Sequence, residues 1–350
     1  MAEFMKPASS IITDKFNRPL RDLRVSVTDK CNFRCPYCMP AKIFGEGYSF
    51  LPNHELLSFE EISRLIGIFA NFGLKKVRIT GGEPLIRPNL ENLIKLISDI
   101  KPYLDISLTT NGYLLKDKAV VLKKFGLHRL TVSLDTLDDE IFKKMNGRNV
   151  SVSKVIAGIE AAEDAGFSPI KINAVVQKGV NFHTILDLAK FFDARGHILR
   201  FIEYMDVGTL NRWSAKDVVS SEEIRSTIDK ELPLEPLQSN YPGEVASRYR
   251  YKHSGNEIGI ISSITQPFCS DCTRLRMSPE GKLATCLFAQ LGTDLKTPLR
   301  SGLSDDEIAE VITNVWKNRS DRYSELRSLQ KNNPSNPEKP QRVEMYKIGG

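Results

Sequence analysis

The 350-residue chain lacks the sequence features of a membrane or exported protein. It has no apolar run of about eighteen residues, the length that a helix needs to cross a bilayer. Residues 1–22 have no apolar core of the kind that a signal peptide requires, and they are too poor in Arg and Ser for a transit peptide. We therefore expect a cytoplasmic protein that does not contact a membrane.

The usual signatures of nucleotide and nucleic-acid binding are also missing. No G-x-x-x-x-G-K-[ST] phosphate loop occurs, so a bound nucleotide would need another arrangement. The 49 basic and 43 acidic residues give a net charge of +6, but they are interspersed, without a basic run or an aromatic-rich basic strand. The sequence thus argues against a nucleic-acid partner, whereas a small polyanion needs only local arginines.

Cysteine is scarce, and its distribution is the most informative feature of the sequence. The six cysteines fall into two groups of three. This distribution is unfavourable for a disulfide framework and indicates metal or cluster ligation. We call the two groups the first and second cysteine trios. The first trio is Cys31, Cys35 and Cys38, and the second is Cys269, Cys272 and Cys286.

The first trio falls within eight residues, in the pattern C-x-x-x-C-x-x-C. Three thiolates suit an iron–sulfur cluster with one open iron better than zinc, which normally takes four ligands. A disulfide fragment, a three-thiolate zinc site with a distant histidine, and a buried structural cluster are the alternatives. The loop resembles the signature of radical S-adenosylmethionine (SAM) enzymes. This resemblance implies that SAM chelates the open iron and is cleaved to a 5′-deoxyadenosyl radical.

Strand and helix patterns alternate from Leu23 to Met205, which predicts a parallel sheet with crossover helices. The predicted helices begin near Ser58, Asn89, Leu114, Ser153 and Asn181. The six predicted strands are Leu23 to Thr28, Lys76 to Thr80, Ile106 to Asn111, Leu130 to Asp135, Ile170 to Val176 and Ile198 to Tyr204.

Four of these strands alternate apolar and polar residues, as Leu23 and Val25 do with Arg24 and Ser26. If helices cover the apolar face, the polar face must line a hollow that holds water or ligand, because burying unpaired polar groups is costly. An open sheet with one solvated face is the alternative. Similarity to radical SAM enzymes implies an α/β fold with an open, six-stranded partial TIM-type barrel. The first trio would then follow the first strand at the end where barrel loops form active sites.

The segment Gly81-Gly82-Glu83-Pro84 follows the second strand and resembles a second radical SAM motif, whose glycines let the backbone approach SAM. We expect an N-terminal extension over residues 1–22, the partial barrel over 23–205, a C-terminal region over 206–330 and a tail over 331–350. The C-terminal region is expected to fold back over the barrel mouth as a linker and hairpins, with a strand at Glu257 to Ser262.

The second trio has the pattern C-x-x-C-x13-C. Since C-x-x-C is a common zinc half-site, a structural zinc site completed by His253 is the main alternative. Like the first trio, the second trio has one cysteine fewer than a fully protein-ligated cluster needs. This favours a second cluster whose open iron binds a substrate atom. Arg274 and Arg276 lie two apart, so both would leave the same face of an extended segment. Their planar forks suit a phosphate or a base.

Together these motifs resemble those of the molybdenum cofactor biosynthesis protein A family, the GTP 3′,8-cyclases. The matching segments are Cys269-Ser-Asp-Cys272-Thr-Arg274-Leu-Arg276, Thr80-Gly-Gly-Glu-Pro-Leu-Ile-Arg87 and the terminal Gly349-Gly350. The resemblance extends from about Phe16 to the end of the chain. It implies one [4Fe-4S] cluster per trio, the second in contact with GTP, and terminal glycines that reach the active site.

The same resemblance implies a set of binding residues. The implied SAM contacts are Tyr37, Gly82, Ser133 and Met205. The implied GTP contacts are Arg24, Arg78, Thr109, Lys171, Arg274 and Arg276, of which Arg24, Arg274 and Arg276 would also take part in catalysis. Arg200 is a further candidate, although its strand alternates poorly.

By resemblance, the 5′-deoxyadenosyl radical would abstract the ribose 3′ hydrogen of GTP, and the substrate radical would close onto guanine C8. The product would be (8S)-3′,8-cyclo-7,8-dihydroguanosine 5′-triphosphate, made in the first step of molybdenum cofactor biosynthesis. A homodimer, an electron donor and a downstream pterin-forming enzyme are also implied. Two alternatives stay open: a radical SAM enzyme acting on a peptide or another nucleotide, with the second cluster relaying electrons, and a non-enzymatic zinc module for nucleic acid.

Overall fold

A computed structural model describes residues 11–211, 213–290, 292–331 and 342–349. Residues 1–10 of the predicted extension, residues 332–341 of the predicted tail and Gly350 lie outside the described residues. Within the described part of the chain, no helix combines the length and the apolar character needed to cross a bilayer.

In the described part of the chain, twelve strands form one sheet in the order β12-β11-β10-β1-β2-β3-β4-β5-β6-β9-β8-β7. The strands β1 to β6 are Asp22–Ser26, Lys76–Thr80, Asp105–Thr110, Arg129–Ser133, Lys171–Val176 and Ile198–Glu203. The strands β7 to β12 are Leu234–Leu237, Ser247–Tyr251, Glu257–Ile261, Arg274–Met277, Lys282–Ala284 and Thr293–Asp294. Each of the first five strands pairs in parallel with the next, and the first six strands all lie within two residues of their predicted bounds.

Helices alternate with these parallel strands. The helices α1 to α6 are Phe59–Ala70, Leu90–Ile100, Leu115–Lys124, Asp139–Asn146, Val152–Asp164 and Ile185–Ala194. The helices α7 to α11 are Ser221–Glu231, Lys296–Arg300, Asp305–Lys317, Tyr323–Lys331 and Met345–Ile348. The sequence patterns predicted five of the first six helices and missed the short α4, which Asp138 caps by accepting the backbone N–H of Ile141.

The two faces of the parallel strands separate as the alternation predicts. Leu23 and Val25 of β1 are fully buried and belong to one large core that includes residues of the covering helices, such as Leu65 of α1. Arg24 and Arg78, from the polar set, instead line a cavity inside the barrel. The fold is therefore an open α/β barrel with a polar interior.

The C-terminal region lengthens the barrel wall, while its folding back over the mouth stays a prediction. Strand β10 pairs in parallel with β1, and β9 pairs in parallel with β6, which gives eight consecutive parallel strands. The physical reason is that an open six-stranded sheet leaves backbone N–H and C=O groups unpaired along both edges, and these strands satisfy them. Strand β9 agrees with the strand predicted at Glu257 to Ser262.

Candidate active site

The cavity inside the barrel opens to solvent. Four of the predicted GTP contacts and one predicted SAM contact line it, as do Arg200 and the whole second trio. These lining residues are Arg24, Arg78, Arg274, Arg276, Met205, Arg200, Cys269, Cys272 and Cys286. Among the described residues, the cavity lining includes neither the first trio nor Thr109, Lys171, Tyr37, Gly82 or Ser133.

Strand register places three of the arginines in a row. Arg24 of β1 is paired with Arg276 of β10 on one side and with Arg78 of β2 on the other. Neighbouring strands lie about 4.8 Å apart, and aligned residues of parallel strands point to the same face. Three guanidinium groups therefore enter the cavity side by side.

Burial and mutual repulsion destabilise these cations. Burial, followed by repulsion from Arg276 and Arg78, lowers the pKa of Arg24 well below its usual value. Burial and repulsion from Arg274 lower the pKa of Arg276 to about 9, and burial and repulsion from Arg78 lower that of Arg200 to about 9. An anion in the cavity would relieve this repulsion.

Polar atoms around the cavity also lack partners. Asn173 Oδ1 and the Nε and Nη2 atoms of Arg200 are buried and make no hydrogen bond to the described residues, and the same holds for Thr109 Oγ1 on β3. Lys171, at the start of β5, has its pKa lowered to about 7 by burial and by repulsion from Arg200. Buried polar groups normally find partners, so this interior fits a charged, polar ligand.

The second trio lies at the N-terminal ends of the parallel strands. Cys269 and Cys272 precede β10, whose first residue, Arg274, is paired with Asp22 at the start of β1. The antiparallel pairing of β10 with β11 brings Cys286 back to the same end. A hairpin thus closes the gap of fourteen positions between Cys272 and Cys286.

Arginines dominate the surroundings of the second trio. Burial alone would raise the pKa of Cys272, but attraction to Arg274 and Arg319 outweighs it and lowers the pKa to about 6. Arg274 Nη2 donates to Cys272 Sγ over 3.3 Å. Burial raises the pKa of Cys286 to about 11. A thiolate is the metal-ligating form of cysteine, and Cys272 is already biased towards it.

The alternative of a zinc site at the second trio needs His253 as the fourth ligand, and the structure places His253 elsewhere. His253 is half exposed, and its Nε2 atom lies 2.7 Å from Asp193 Oδ2. Among the described residues, His253 is not part of the cavity lining that contains the second trio. His253 therefore pairs with a carboxylate on the outside of the barrel.

The first trio lies at the opposite end of the barrel, in the loop that follows β1. The N–H groups of Cys38 and Met39 both donate to Cys35 O, at 3.0 and 2.8 Å, so the last two cysteines share one tight turn. Arg34 Nη1 donates to Cys31 O over 2.7 Å and secures the start of the loop. This end is about one strand length, on the order of 13 Å, from the second trio.

Burial and negative neighbours act on the first trio. Burial and then Glu83 raise the pKa of Cys31 to about 12. Burial and repulsion from Cys31 and Cys38 raise the pKa of Cys35, and burial and repulsion from Cys31 raise that of Cys38. These mutual effects mean that the three sulfur atoms are close enough to interact, so a bound cation would stabilise all three thiolates together.

Two predicted SAM contacts lie around this loop, and one of them has a structural role. Tyr37 Oη donates to Asp135 Oδ2 over 2.7 Å. Gly82 N donates to Thr28 O over 2.8 Å, and a Cβ atom at Gly82 would lie only 2.2 Å from Lys30 O. The glycine thus permits close packing against the cysteine loop itself. Ser133 ends β4, in register with Asn173 of β5.

The thiols fit iron–sulfur ligation by their chemistry. All six cysteines are free and partly buried. Among the described residues, no three His, Cys, Asp or Glu side chains are already gathered as a ligand shell. The donor sets still match an iron–sulfur cluster with one open iron, because each end of the barrel offers three of the six cysteine thiols and no fourth. Cys31, Cys35 and Cys38 would hold one cluster, and the second trio another.

The C-terminal tail reaches the arginine row. Arg276 Nη1 donates to Ile348 O over 3.2 Å and also to Gly349 O. Gly349 has a positive φ of 69°, and a Cβ atom there would lie 2.3 Å from the Thr80 side chain. Gly349 therefore lies against a predicted GTP contact, whereas the prediction for Gly350 concerns a residue outside the described part of the chain.

Sequence reasoning missed several cavity residues. Lys76 lines the cavity and shares the polar face of β2 with Arg78, so the period of two contained the signal. Tyr241, Arg18 and Arg319 also line it, but they come from a loop, from the N-terminal segment and from the segment that follows α9. No local pattern marks these three residues.

An open parallel barrel with a C-x-x-x-C-x-x-C loop after its first strand defines a radical SAM protein. In agreement, residues 25–192 match the radical SAM superfamily, and residues 197–325 match the family described as Molybdenum Cofactor Synthesis C. The chain belongs to the GTP 3′,8-cyclase family.

Three relatives with that name show the membership. The chain is 52% identical over 322 residues to the GTP 3′,8-cyclase of Acidothermus cellulolyticus, with 91% of this chain and 89% of the relative covered. The corresponding enzyme of Staphylococcus epidermidis is 45% identical, covering 97% and 99%, and that of Staphylococcus carnosus is 48% identical, covering 91% and 94%.

Proposed function

We propose that this chain converts GTP to (8S)-3′,8-cyclo-7,8-dihydroguanosine 5′-triphosphate, for use in molybdenum cofactor biosynthesis. The observation that carries the proposal is the row Arg276, Arg24 and Arg78, which enters a cavity bounded at one end by the second trio. Its membership in the GTP 3′,8-cyclase family supports the same reaction.

The protein groups would bind and orient GTP by charge. A triphosphate carries about four negative charges, and the arginine row with Lys171 offers a matching number of cations. Guanidinium forks bind phosphate through two parallel hydrogen bonds, which fixes the direction of the chain as well as its position. Buried amide and hydroxyl groups such as Asn173 and Thr109 then supply hydrogen bonds to the nucleoside.

Radical chemistry would come from the bound groups, and the residues would provide position. Cys31, Cys35 and Cys38 would hold an iron–sulfur cluster, which would supply the electron for the cleavage of SAM and so the radical chemistry of the reaction. Tyr37, held by Asp135, and Met205 would position SAM at that end. The second trio would hold a second cluster beside the base, with Arg274 donating to Cys272. Enclosure by the barrel wall limits side reactions of the radical.

The remaining family expectations belong to the same proposal. We infer a homodimer, an electron donor that reduces the first cluster, and a pterin-forming enzyme that receives the product. A cytoplasmic location is proposed as well. Six free cysteines support it, because structural thiols persist in a reducing compartment.

Anaerobic turnover tests the proposal. Protein reconstituted with iron and sulfide is incubated with GTP, SAM and a reductant, and the nucleotides are separated and analysed by mass spectrometry. We expect one 5′-deoxyadenosine per cyclised nucleotide. Release of 5′-deoxyadenosine without a cyclised guanosine product would contradict the substrate assignment.

A further inference from the structure

Two arginines contact all three chain segments that carry the second trio. Arg18 Nη1 donates to Cys269 O over 2.6 Å. Arg319 Nη1 donates to Cys272 O over 2.7 Å, and its Nε donates to Thr285 O, next to Cys286, over 3.0 Å. These segments have little regular structure of their own, since Cys269 lies in a single helical turn of three residues.

One carboxylate joins the two arginines. Asp14 Oδ2 accepts from Arg18 Nε at 2.6 Å and from Arg319 Nη1 at 3.1 Å, while Asp14 Oδ1 accepts the backbone N–H groups of Phe16 and Arg18. The exposed fractions of the Asp14, Arg18 and Arg319 side chains are only 0%, 2% and 1%. We call these three residues the clamp.

The clamp ties distant parts of the chain together. Asp14 and Arg18 belong to the N-terminal segment, and Arg319 follows α9. Trp316 Nε1 of α9 donates to Arg18 O over 3.0 Å, and Lys15 N donates to Arg319 O over 3.3 Å. The N-terminal segment therefore packs against the segments that carry the second trio.

The clamp also places buried charge beside the second trio. Arg18 and Arg319 share Asp14, and Arg319 Nε also lies 3.6 Å from Asp321 Oδ2. Buried charge is retained only where partners hold it in place. Arg18 Nη2 is buried and has no hydrogen-bond partner among the described residues, although Arg18 and Arg319 line the cavity beside the cysteines. Thiolates at this end would place negative charge beside both guanidinium groups.

We propose that Asp14, Arg18 and Arg319 are positioning residues that hold the three segments of the second trio ready to take up and keep an iron–sulfur cluster. The inference rests on the proposed function in one respect, the assignment of a cluster to the second trio. Outer residues that fix metal ligands typically change metal retention by about tenfold to hundredfold when altered.

The test counts iron at each end of the barrel separately. In one chain, Cys31, Cys35 and Cys38 are replaced by Ala, so that iron reports the second trio alone; in the other, the second trio is replaced. Asp14→Asn and Arg319→Lys are introduced into both chains. Asp14→Asn keeps the shape and removes the charge, whereas Arg319→Lys keeps the charge and removes the fork. After anaerobic reconstitution, iron, sulfide and the rate of iron loss to a chelator are measured.

We expect both variants to speed iron loss from the second trio by about tenfold or more, with iron at the first trio unchanged. Arg225→Lys is the matched control, because Arg225 pairs with Glu222 within α7, and it should leave both ends unchanged. If the clamp variants retain iron as well as their parent chains do, the proposal that the clamp positions the second trio is overturned. Equal loss from both ends would also overturn it, by showing a general folding role. If the unaltered second trio holds no iron at all, the two-cluster proposal itself fails.

Discussion

The charged groups outside the first cysteine trio that act most strongly on it are carboxylates, whereas those that act most strongly on Cys272 of the second trio are guanidinium groups. At the first trio, Glu83 and Asp135 add to the burial that raises thiol pKa values. At the second, Arg274 and Arg319 outweigh burial and lower the pKa of Cys272. The difference suits the proposed ligands, because SAM is a sulfonium cation and GTP is a polyanion. One barrel thus offers two thiol sites of similar stoichiometry and opposite electrostatic character.

The largest expected contrast comes from one cysteine at each end. Cys35→Ser should lower 5′-deoxyadenosine release by about 1000-fold or more, equivalent to about 4 kcal/mol in the barrier, because cleavage of SAM needs the first cluster. Cys272→Ser should keep SAM cleavage within about tenfold and lose the cyclised product. Chromatography of both products from the same reaction measures this. Loss of SAM cleavage in both variants would break the division of roles between the two ends.

A substitution at Gly82 should disturb only the end of the barrel that carries the first trio. Gly82→Ala would bring a Cβ atom within 2.2 Å of Lys30 O and displace the cysteine loop, so iron per chain should fall by about half. Gly47→Ala is the control, since nothing lies within 4 Å of its Cβ position and its iron content should stay unchanged. Iron and sulfide assays decide the outcome. Full iron content in Gly82→Ala would mean that the loop tolerates the displacement.

A conservative change in the arginine row should weaken GTP binding. Arg24→Lys keeps the charge and loses the planar fork, so GTP affinity should fall by about tenfold to hundredfold, or about 1.5–3 kcal/mol. Arg129→Lys is the control. Arg129 of β4 is in register with the arginine row through Ser107 of β3, but its Nε donates to Asp105 Oδ1. Equilibrium dialysis without SAM measures both affinities. Equal affinity for the two variants would remove the arginine row from GTP recognition.

The smallest expected effect concerns pH. Burial and the nearby arginines lower the pKa of Lys171 to about 7, and a bound triphosphate would raise it, so GTP binding should take up a proton. GTP affinity should therefore fall as the pH rises above about 7, by at most about tenfold per unit. Lys171→Met should remove this contribution, while the titration of GTP itself remains in both proteins. Calorimetry in buffers of different ionisation enthalpy measures the uptake, and equal uptake by both proteins would exclude Lys171 as its source.

Local patterns predicted the part of the fold that depends on local order. The strands β1 to β6 follow from alternation, and Arg24 and Arg78 could be placed in the hollow because side chains alternate between the two faces of a strand. The helix α1 begins at a capping box formed by Ser58 and Glu61, which is also a short-range signal.

What the sequence did not reveal depends on long-range contacts. Strands β9 and β10 join opposite edges of the same sheet, and no local signal says which edge a strand will choose. Arg18 and Arg319 lie about 300 positions apart, and Asp14 joins them. The helix α4 was missed for a different reason, since its eight residues give too short a period to recognise.

The most direct test of the account follows the two ends of the barrel by Mössbauer spectroscopy of iron-57-labelled protein. Two chains are compared, one with only the first trio and one with only the second, each with SAM or GTP added alone. The account predicts that SAM alters one iron site in the first chain and that GTP alters one iron site in the second. Responses of both ligands at the same trio, or no response of the second trio to GTP, would contradict it.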